Sequence, residues 1–240
     1  MEQRSIALDG PAGAGKSTLA RLAAQHFGLI YVDTGALYRC VGLHALRNGI
    51  DSKDQEGVCA ILPDIRLEMK HDGNGVQRMM LNGDDVTDEI RSPEASTYAS
   101  DVSAMPPVRQ FLLSMQRDMA KKYDVIMDGR DIGTVVLPGS GLKVFLTADP
   151  DTRAKRRYLE LLEKDADTAF DEVKRDMVKR DKNDSERSVA PLKAADGSTI
   201  LDTTDLSLEE SFKTLCDIVA NSRVLHNTAE PRNDSNRQPI

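Results

Sequence analysis

Residues Gly10, Pro11, Ala12, Gly13, Ala14, Gly15, Lys16, Ser17 and Thr18 satisfy the spacing G-x-x-x-x-G-K-[ST]. Glycines in such a run let the backbone curl until successive N–H groups converge on one point. The lysine after the last glycine brings a positive charge to that point, and the next hydroxyl offers a hard oxygen to a divalent cation. The chemistry this arrangement suits is holding the β- and γ-phosphates of a magnesium–nucleoside triphosphate. Ser17 and Thr18 both carry hydroxyls. The general pattern favours Ser17 as the magnesium ligand and leaves Thr18 open. The plain alternative is a glycine-rich turn with an incidental lysine. Against it, an apolar run at 5–9 ends just before the loop. A helical pattern with Leu19, Leu22, Ala23 and Phe27 on one face begins at residue 16.

Other residues could handle a second anion. Asp128-Gly129-Arg130-Asp131 follows an apolar run, so Asp128 is a strand-end carboxylate of the kind that holds Mg²⁺ or its waters. A turn aspartate ahead of Gly129 is the alternative. Arg130 falls just past a strand's carboxyl end, where α/β folds bind ligands. The stretch 150–187 concentrates Arg153, Arg156, Arg157, Lys174, Arg175, Lys179, Arg180, Lys182 and Arg187. Taken alone, a run like this reads as a solvated helical face. No Asn-Lys-x-Asp stands at a strand end to read guanine, which argues against a GTPase, and the length argues against most motor ATPases.

The elements that must position these groups follow from periodicity. Apolar runs at 5–9, 29–33, 124–128, 142–147 and 198–202 read as buried strands of a parallel sheet. Helical spacing at 16–27, 36–48 and 107–122 alternates with them, which predicts an α/β fold. The stretch 150–187 reads as helical with a break near 165–168. The region 61–89 differs. A strand at 65–69, Asp72-Gly73-Asn74-Gly75, a strand at 76–81 and Asn82-Gly83 form a meander signature, read as a small antiparallel insert.

The 240 residues, 40% of them hydrophobic, allow one sizeable core with a small subdomain. A net charge of −7 and the absence of tryptophan argue against a nucleic-acid polymer as partner. No run approaches the roughly 20 apolar residues of a membrane span. Met1-Glu2-Gln3-Arg4 leads straight into a strand, leaving no room for a signal peptide. Cys40, Cys59 and Cys216 are scattered and lack metal-ligand spacing, so reduced thiols in the cytoplasm are expected. The segment 227–240 reads as a disordered tail.

Four motifs then stand in order: Asp9 to Lys16; Asp33-Thr34-Gly35-Ala36-Leu37-Tyr38-Arg39; Asp128 to Val136, Asp-Gly-Arg-Asp-Ile-Gly-Thr-Val-Val; and Arg180-Asp181-x-x-Asp184-x-x-Arg187-Ser188-Val189-Ala190-Pro191-Leu192. Together they resemble the bacterial cytidylate kinases, P-loop nucleoside monophosphate kinases, from about residue 5 to residue 222. The resemblance implies a three-layer P-loop kinase fold: a five-stranded parallel sheet, a helical lid and an inserted nucleotide-monophosphate (NMP) subdomain containing the small antiparallel sheet. The implied boundaries are 1–39 core, 40–105 NMP subdomain with the insert at about 61–89, 106–152 core, 153–187 lid, 188–226 core and 227–240 tail.

The same resemblance implies transfer of the γ-phosphoryl group of ATP to CMP or dCMP with Mg²⁺, by a monomer. A P-loop kinase of another small acceptor such as UMP is the alternative. It implies Arg39 and Arg130 at the acceptor phosphate, where arginine's planar fork suits paired oxygens. Asp131, Ser100 and Arg109 would read the cytosine. Ser96 and Ser103 lie one turn or less from Ser100, so its register stays open. Thr34 keeps the hydroxyl that some members supply as serine. Arg180 and Asp184 would contact the ribose, and Arg187 the acceptor side. Asp184 could instead pair with Arg187. Arg153 and Arg157 would act as lid cations in transfer, beside Lys16.

Overall fold

The computed structural model describes residues 3–71, 77–163, 168–222 and 224. In chain order its elements are β1 (Ser5–Asp9), α1 (Lys16–Phe27), β2 (Ile30–Asp33), α2 (Thr34–Arg47), α3 (Gln55–Ile61), β3 (Leu67–His71), β4 (Gln77–Leu81) and β5 (Asp84–Asp85). There follow α4 (Pro93–Val102), α5 (Pro106–Lys122), β6 (Val125–Gly129), β7 (Leu142–Thr147), α6 (Pro150–Leu162), α7 (Phe170–Glu186), β8 (Thr199–Asp202) and α8 (Leu208–Ala220). The fold is α/β, with a five-stranded parallel sheet in the order β2-β6-β1-β7-β8. The strands fall where the apolar runs predict. The chain forms two compact units, Met1–Val32 with Arg117–His226, and Asp33–Gln116.

In the first unit β1 is central and almost wholly buried, as a continuous apolar run between two neighbours must be. Ile6 and Leu8 meet Leu19, Ala20 and Ala23 of α1, Ile126 of β6, Val144 and Leu146 of β7, and Leu215 and Val219 of α8. Helix α1 buries residues 19, 20, 23 and 24 along one stripe and stops at Gly28, which is left-handed at φ 65°. Burying a side chain such as Leu19 contributes about 1.5–3 kcal/mol.

Helix α6 starts where the Asp149 carboxylate accepts the N–H groups of Asp151 and Thr152, with Pro150 in the first turn. Its Ala154 packs with Val173 and Met177 of α7 against Ala12 of the glycine-rich loop. Helix α6 ends at Leu162 and α7 begins at Phe170; of the expected break near 165–168, residues 165–167 lie outside the described residues. Helix α8 was not foreseen from periodicity. Its start carries a capping box between Ser207 and Glu210, a signal the sequence does contain.

In the second unit α2 packs on α4 so closely that a Cβ on Gly42 would lie 2.8 Å from the Cβ of Tyr98. The insert is an antiparallel sheet, β3-β4-β5. Asn82 (φ 54°) and Gly83 (φ 94°) turn the chain from β4 to β5, as an Asn-Gly pair does in a tight hairpin. The expected turn at 72–75, the first residue of the expected strand at 76, and the tail at 227–240 lie outside the described residues. No helix among the described residues is long and apolar enough to cross a membrane.

Candidate active site

The loop between β1 and α1 depends on two glycines for different reasons. Gly10 has φ 153°, and a Cβ there would lie 2.0 Å from the Leu146 carbonyl oxygen of β7. Gly13 has φ 70°, and its Cβ would meet Met177 Cε at 2.6 Å. The helix opens at Lys16 with no side chain capping its first amides. Such amides, at the positive end of the helix dipole, form a ready anion site.

Lys16 is 6% exposed, and its Nζ donates to the Pro11 carbonyl at 2.7 Å. Burial pulls its pKa well below the usual lysine value. The charges of Arg130 and Arg180 act in the same direction, and those of Asp128 and Asp184 oppose it. A polyanion among these cations would restore the lysine's charge.

The Ser17 hydroxyl donates to Asp128 Oδ2 at 2.8 Å, and the Tyr31 hydroxyl donates to Oδ1 at 3.0 Å. Ser17 and Asp128 thus present a hydroxyl and a carboxylate side by side, hard oxygens of the kind Mg²⁺ takes. Among the described residues no cluster of three or more His, Cys, Asp or Glu could cage a metal. Two protein ligands suit Mg²⁺, which keeps several waters and binds substrate phosphates.

The first α6 arginine is built into the loop. Arg153 donates to the carbonyls of Ala12 and Ala148, both at 2.9 Å, and is ion-paired to Asp181 of α7. Asp181 also accepts from the Ala12 N–H at 3.3 Å. Arg157, one turn further along α6, pairs with Glu160 at 2.9 Å.

Just past β6, Arg130 Nε donates to Asp184 Oδ2 of α7 at 2.8 Å. Burial opposes the guanidinium charge, but Asp184 outweighs it and the pKa is raised. Burial would likewise push the Asp184 carboxyl up. Arg130, Arg180 and Arg187 instead hold it below the usual carboxylate range. Asp131 accepts from Arg187 Nη2 at 3.3 Å, while Arg187 Nε donates to the Ala190 carbonyl at 2.6 Å. The first unit therefore gathers Lys16, Asp128, Arg130, Arg180 and Asp184 into one interacting group, with Asp131 and Arg187 as a neighbouring pair.

In the second unit, Asp33 ends β2 and caps α2 by accepting the Ala36 N–H at 2.9 Å. Thr34 is buried in the first turn, and Arg39 faces Asp33 at 3.7 Å. Arg109 of α5 donates to the Ser103 carbonyl at 3.1 Å and lies over the Tyr38 ring, 5.7 Å from its centroid. The serines of α4 and its C-terminus differ. Ser96 and Ser103 donate to backbone carbonyls at Ser92 and Ser100. The buried Ser100 Oγ has no hydrogen-bond partner among the described residues. A buried orphan hydroxyl needs an outside partner.

Comparison with known proteins agrees with this geometry. The cytidylate kinase family model matches residues 6–221. The chain belongs to the cytidylate kinase family. The cytidylate kinase of Caldicellulosiruptor bescii is 47% identical over 218 residues, covering 91% of this chain and 96% of that protein. The cytidylate kinase of Bacillus cereus is 43% identical over 221 residues, covering 92% and 98%. Among solved structures, an uncharacterized protein from Eubacterium ventriosum covers 91% of this chain and 99% of its own, with a TM-score of 0.51 at 12% identity. That likeness concerns the fold alone.

Three further side chains join the candidate site of this cytidylate kinase family member through partners that motif spacing does not give. Tyr31 meets Asp128 from a neighbouring strand, and Asp181 meets Ala12 from a helix 169 positions on. Asp9 ends β1, and its carboxylate accepts the amides of Ile132 and Gly133. Asp9 and Asp181 do stand in the motifs, one ahead of the glycine-rich loop and one beside Arg180, whereas Tyr31 lies in none.

Proposed function

We propose that this chain transfers the γ-phosphoryl group of ATP to CMP or dCMP, giving ADP and CDP or dCDP. The observation that carries this reading is the convergence of Arg130 on Lys16 at the carboxyl ends of β6 and β1. One cation suits the donor phosphates and the other the acceptor phosphate. Both are held in one unit of a cytidylate kinase family member.

In this reading the N–H groups of the loop Gly10 to Thr18, other than Pro11, which has none, and the Lys16 ammonium steady ATP. Ser17 and Asp128 would hold Mg²⁺, which would supply positive charge to neutralise the negative charge developing on the phosphates. Arg39 and Arg130 hold the acceptor phosphate. Asp131 accepts from the exocyclic amine of cytosine and would repel the uracil carbonyl at the same place. The orphan hydroxyl of Ser100 and the guanidinium of Arg109 supply the remaining base contacts. Arg180 and Asp184 address the ribose, and Arg187 orients Asp131.

Phosphoryl transfer needs positioning and charge neutralisation more than covalent help, so transfer is direct and no phosphoenzyme forms. The acceptor phosphate is already an anion, so no general base is required. The lid is 153–187 and the NMP subdomain 40–105. Within the lid, Arg153 braces the loop at Ala12 and Arg157 closes over the transferring group, which excludes water. The enzyme acts as a monomer in the cytoplasm.

The test is ADP release with CMP, dCMP, UMP, AMP and shikimate as acceptors. CMP or dCMP should give the highest kcat/KM. A preference for UMP, AMP or shikimate, or no acceptor-dependent ADP, overturns the proposal.

A further inference from the structure

Phosphoryl transfer as described has no direct use for the buried carboxylate at the end of β1. Asp9 is 3% exposed. Its Oδ1 accepts the Ile132 N–H and its Oδ2 the Gly133 N–H, both at 2.7 Å. Those amides open a single π turn, Ile132–Val136, directly after Arg130 and Asp131. The turn closes through Val136 N–H to the Asp131 carbonyl at 3.2 Å and Leu137 N–H to the Ile132 carbonyl at 2.7 Å. At its far end Arg117 donates to the Val136 carbonyl at 3.0 Å and to the Val135 carbonyl at 2.9 Å. An anion therefore holds the turn's amides and a cation its carbonyls, as its dipole favours. Gly133 leaves no slack, since a Cβ there would lie 3.2 Å from Ala195 Cβ and 3.3 Å from Lys143 Cδ.

Burial pushes the Asp9 carboxyl up to about 6, even though the two amides and Lys16 pull it down. A costly buried charge needs its hydrogen bonds. Both of Asp9's go to the segment that carries Arg130 and Asp131. Asp9 also immediately precedes Gly10, so one side chain joins the root of the phosphate loop to the root of the acceptor loop.

We infer that Asp9 is a positioning residue for acceptor recognition. Through the Ile132 and Gly133 amides it fixes the backbone bearing Arg130 and Asp131, so discrimination between CMP and UMP depends on a side chain that touches neither base. This rests on the reading of Asp131 as the group that accepts from the cytosine amine.

The test measures kcat/KM for CMP and UMP in wild type, Asp9→Asn, Asp131→Ala and the double variant. Asparagine keeps the shape and one acceptor but turns its NH₂ against the second amide. Asp9→Asn should lower the CMP-to-UMP ratio about tenfold, the scale of one lost hydrogen bond to a charged group. KM for ATP should move less than about threefold. In the Asp131→Ala background the same change should not lower the ratio further, because residues acting through one another are not additive. An unchanged ratio in Asp9→Asn beside a collapsed one in Asp131→Ala overturns the inference alone. So does an equal fall in both backgrounds. A wild-type ratio in Asp131→Ala overturns the reading of Asp131 and the inference with it. Arg117→Gln releases the other end of the turn and should lower the ratio less, in the same direction. If Asp9→Asn does not fold, an unchanged ratio in Arg117→Gln overturns the inference.

Discussion

Lys16 donates to a neutral backbone carbonyl at Pro11, whereas Arg130, Arg187 and Arg39 each face a carboxylate, on Asp184, Asp131 and Asp33. The lysine is a buried cation whose pKa is already depressed, so an arriving phosphate relieves an existing cost. The arginines already face anions, so a phosphate arriving at Arg39 or Arg130, as proposed, would exchange one anion for another. The materials differ as well. The phosphate loop is backbone, shaped by glycines within nine residues. The groups proposed for the acceptor are side chains carried by separate helices and strand ends. A backbone site suits any nucleoside triphosphate. A side-chain site can be tuned to one base, at the cost of depending on charges elsewhere in the fold.

Lys16→Ala should break the donor half alone. We expect kcat to fall about 10³-fold or more, the scale of losing a charge-stabilising group in phosphoryl transfer. CMP binding by calorimetry should change less than about threefold. Near-wild-type turnover would remove the lysine from the mechanism.

The two kinds of buried carboxylate should respond to pH in opposite ways. Asp9 titrates from 3.8 unfolded to about 6 folded, so its contribution is fully present below 3.8 and lost as pH rises through 6. That loss is about 3 kcal/mol. Asp184 is shifted down, so its contribution is present above the unfolded value and lost as pH falls through the folded one. Chemical denaturation of Asp9→Asn and Asp184→Asn from pH 3 to 8 should give stability differences from wild type of opposite slope. Parallel slopes would erase the distinction.

Asp184→Asn also tests the ribose contact proposed for Asp184. KM for CMP should rise about 10- to 100-fold, as for loss of a hydrogen bond to a charged group, with KM for ATP nearly unchanged. The smallest effect belongs to a solvent-exposed pair. Glu160→Gln removes the partner of Arg157 and should change stability by less than about 0.5 kcal/mol, read as a shift in thermal midpoint.

Much of the first unit was legible because its signals are local. The run 10–18 holds its glycines, lysine and hydroxyl within one turn of chain, and α1 spans 16–27 as its apolar spacing predicts. Asn82-Gly83 turns the chain because only a residue tolerant of positive φ fits there. Helix α4 was not foreseen, although Ser92 caps it and Pro93 opens it, because its apolar face is short and interrupted by serines.

The sequence by itself determined the glycine-rich loop, the alternating strands and helices, and which arginines and aspartates stand in the motifs that resemble the cytidylate kinases. Tertiary structure alone decided their partners. Asp128 is shared by Ser17 and Tyr31, Arg130 is given to Asp184, and Asp9 holds amides 123 and 124 positions away. The reason is physical. A turn or a helix face is set by neighbours a few residues apart, so its pattern is written in spacing. A buried charge must find its counterpart wherever the packed sheet brings one, and strand order, not spacing, sets which ends meet.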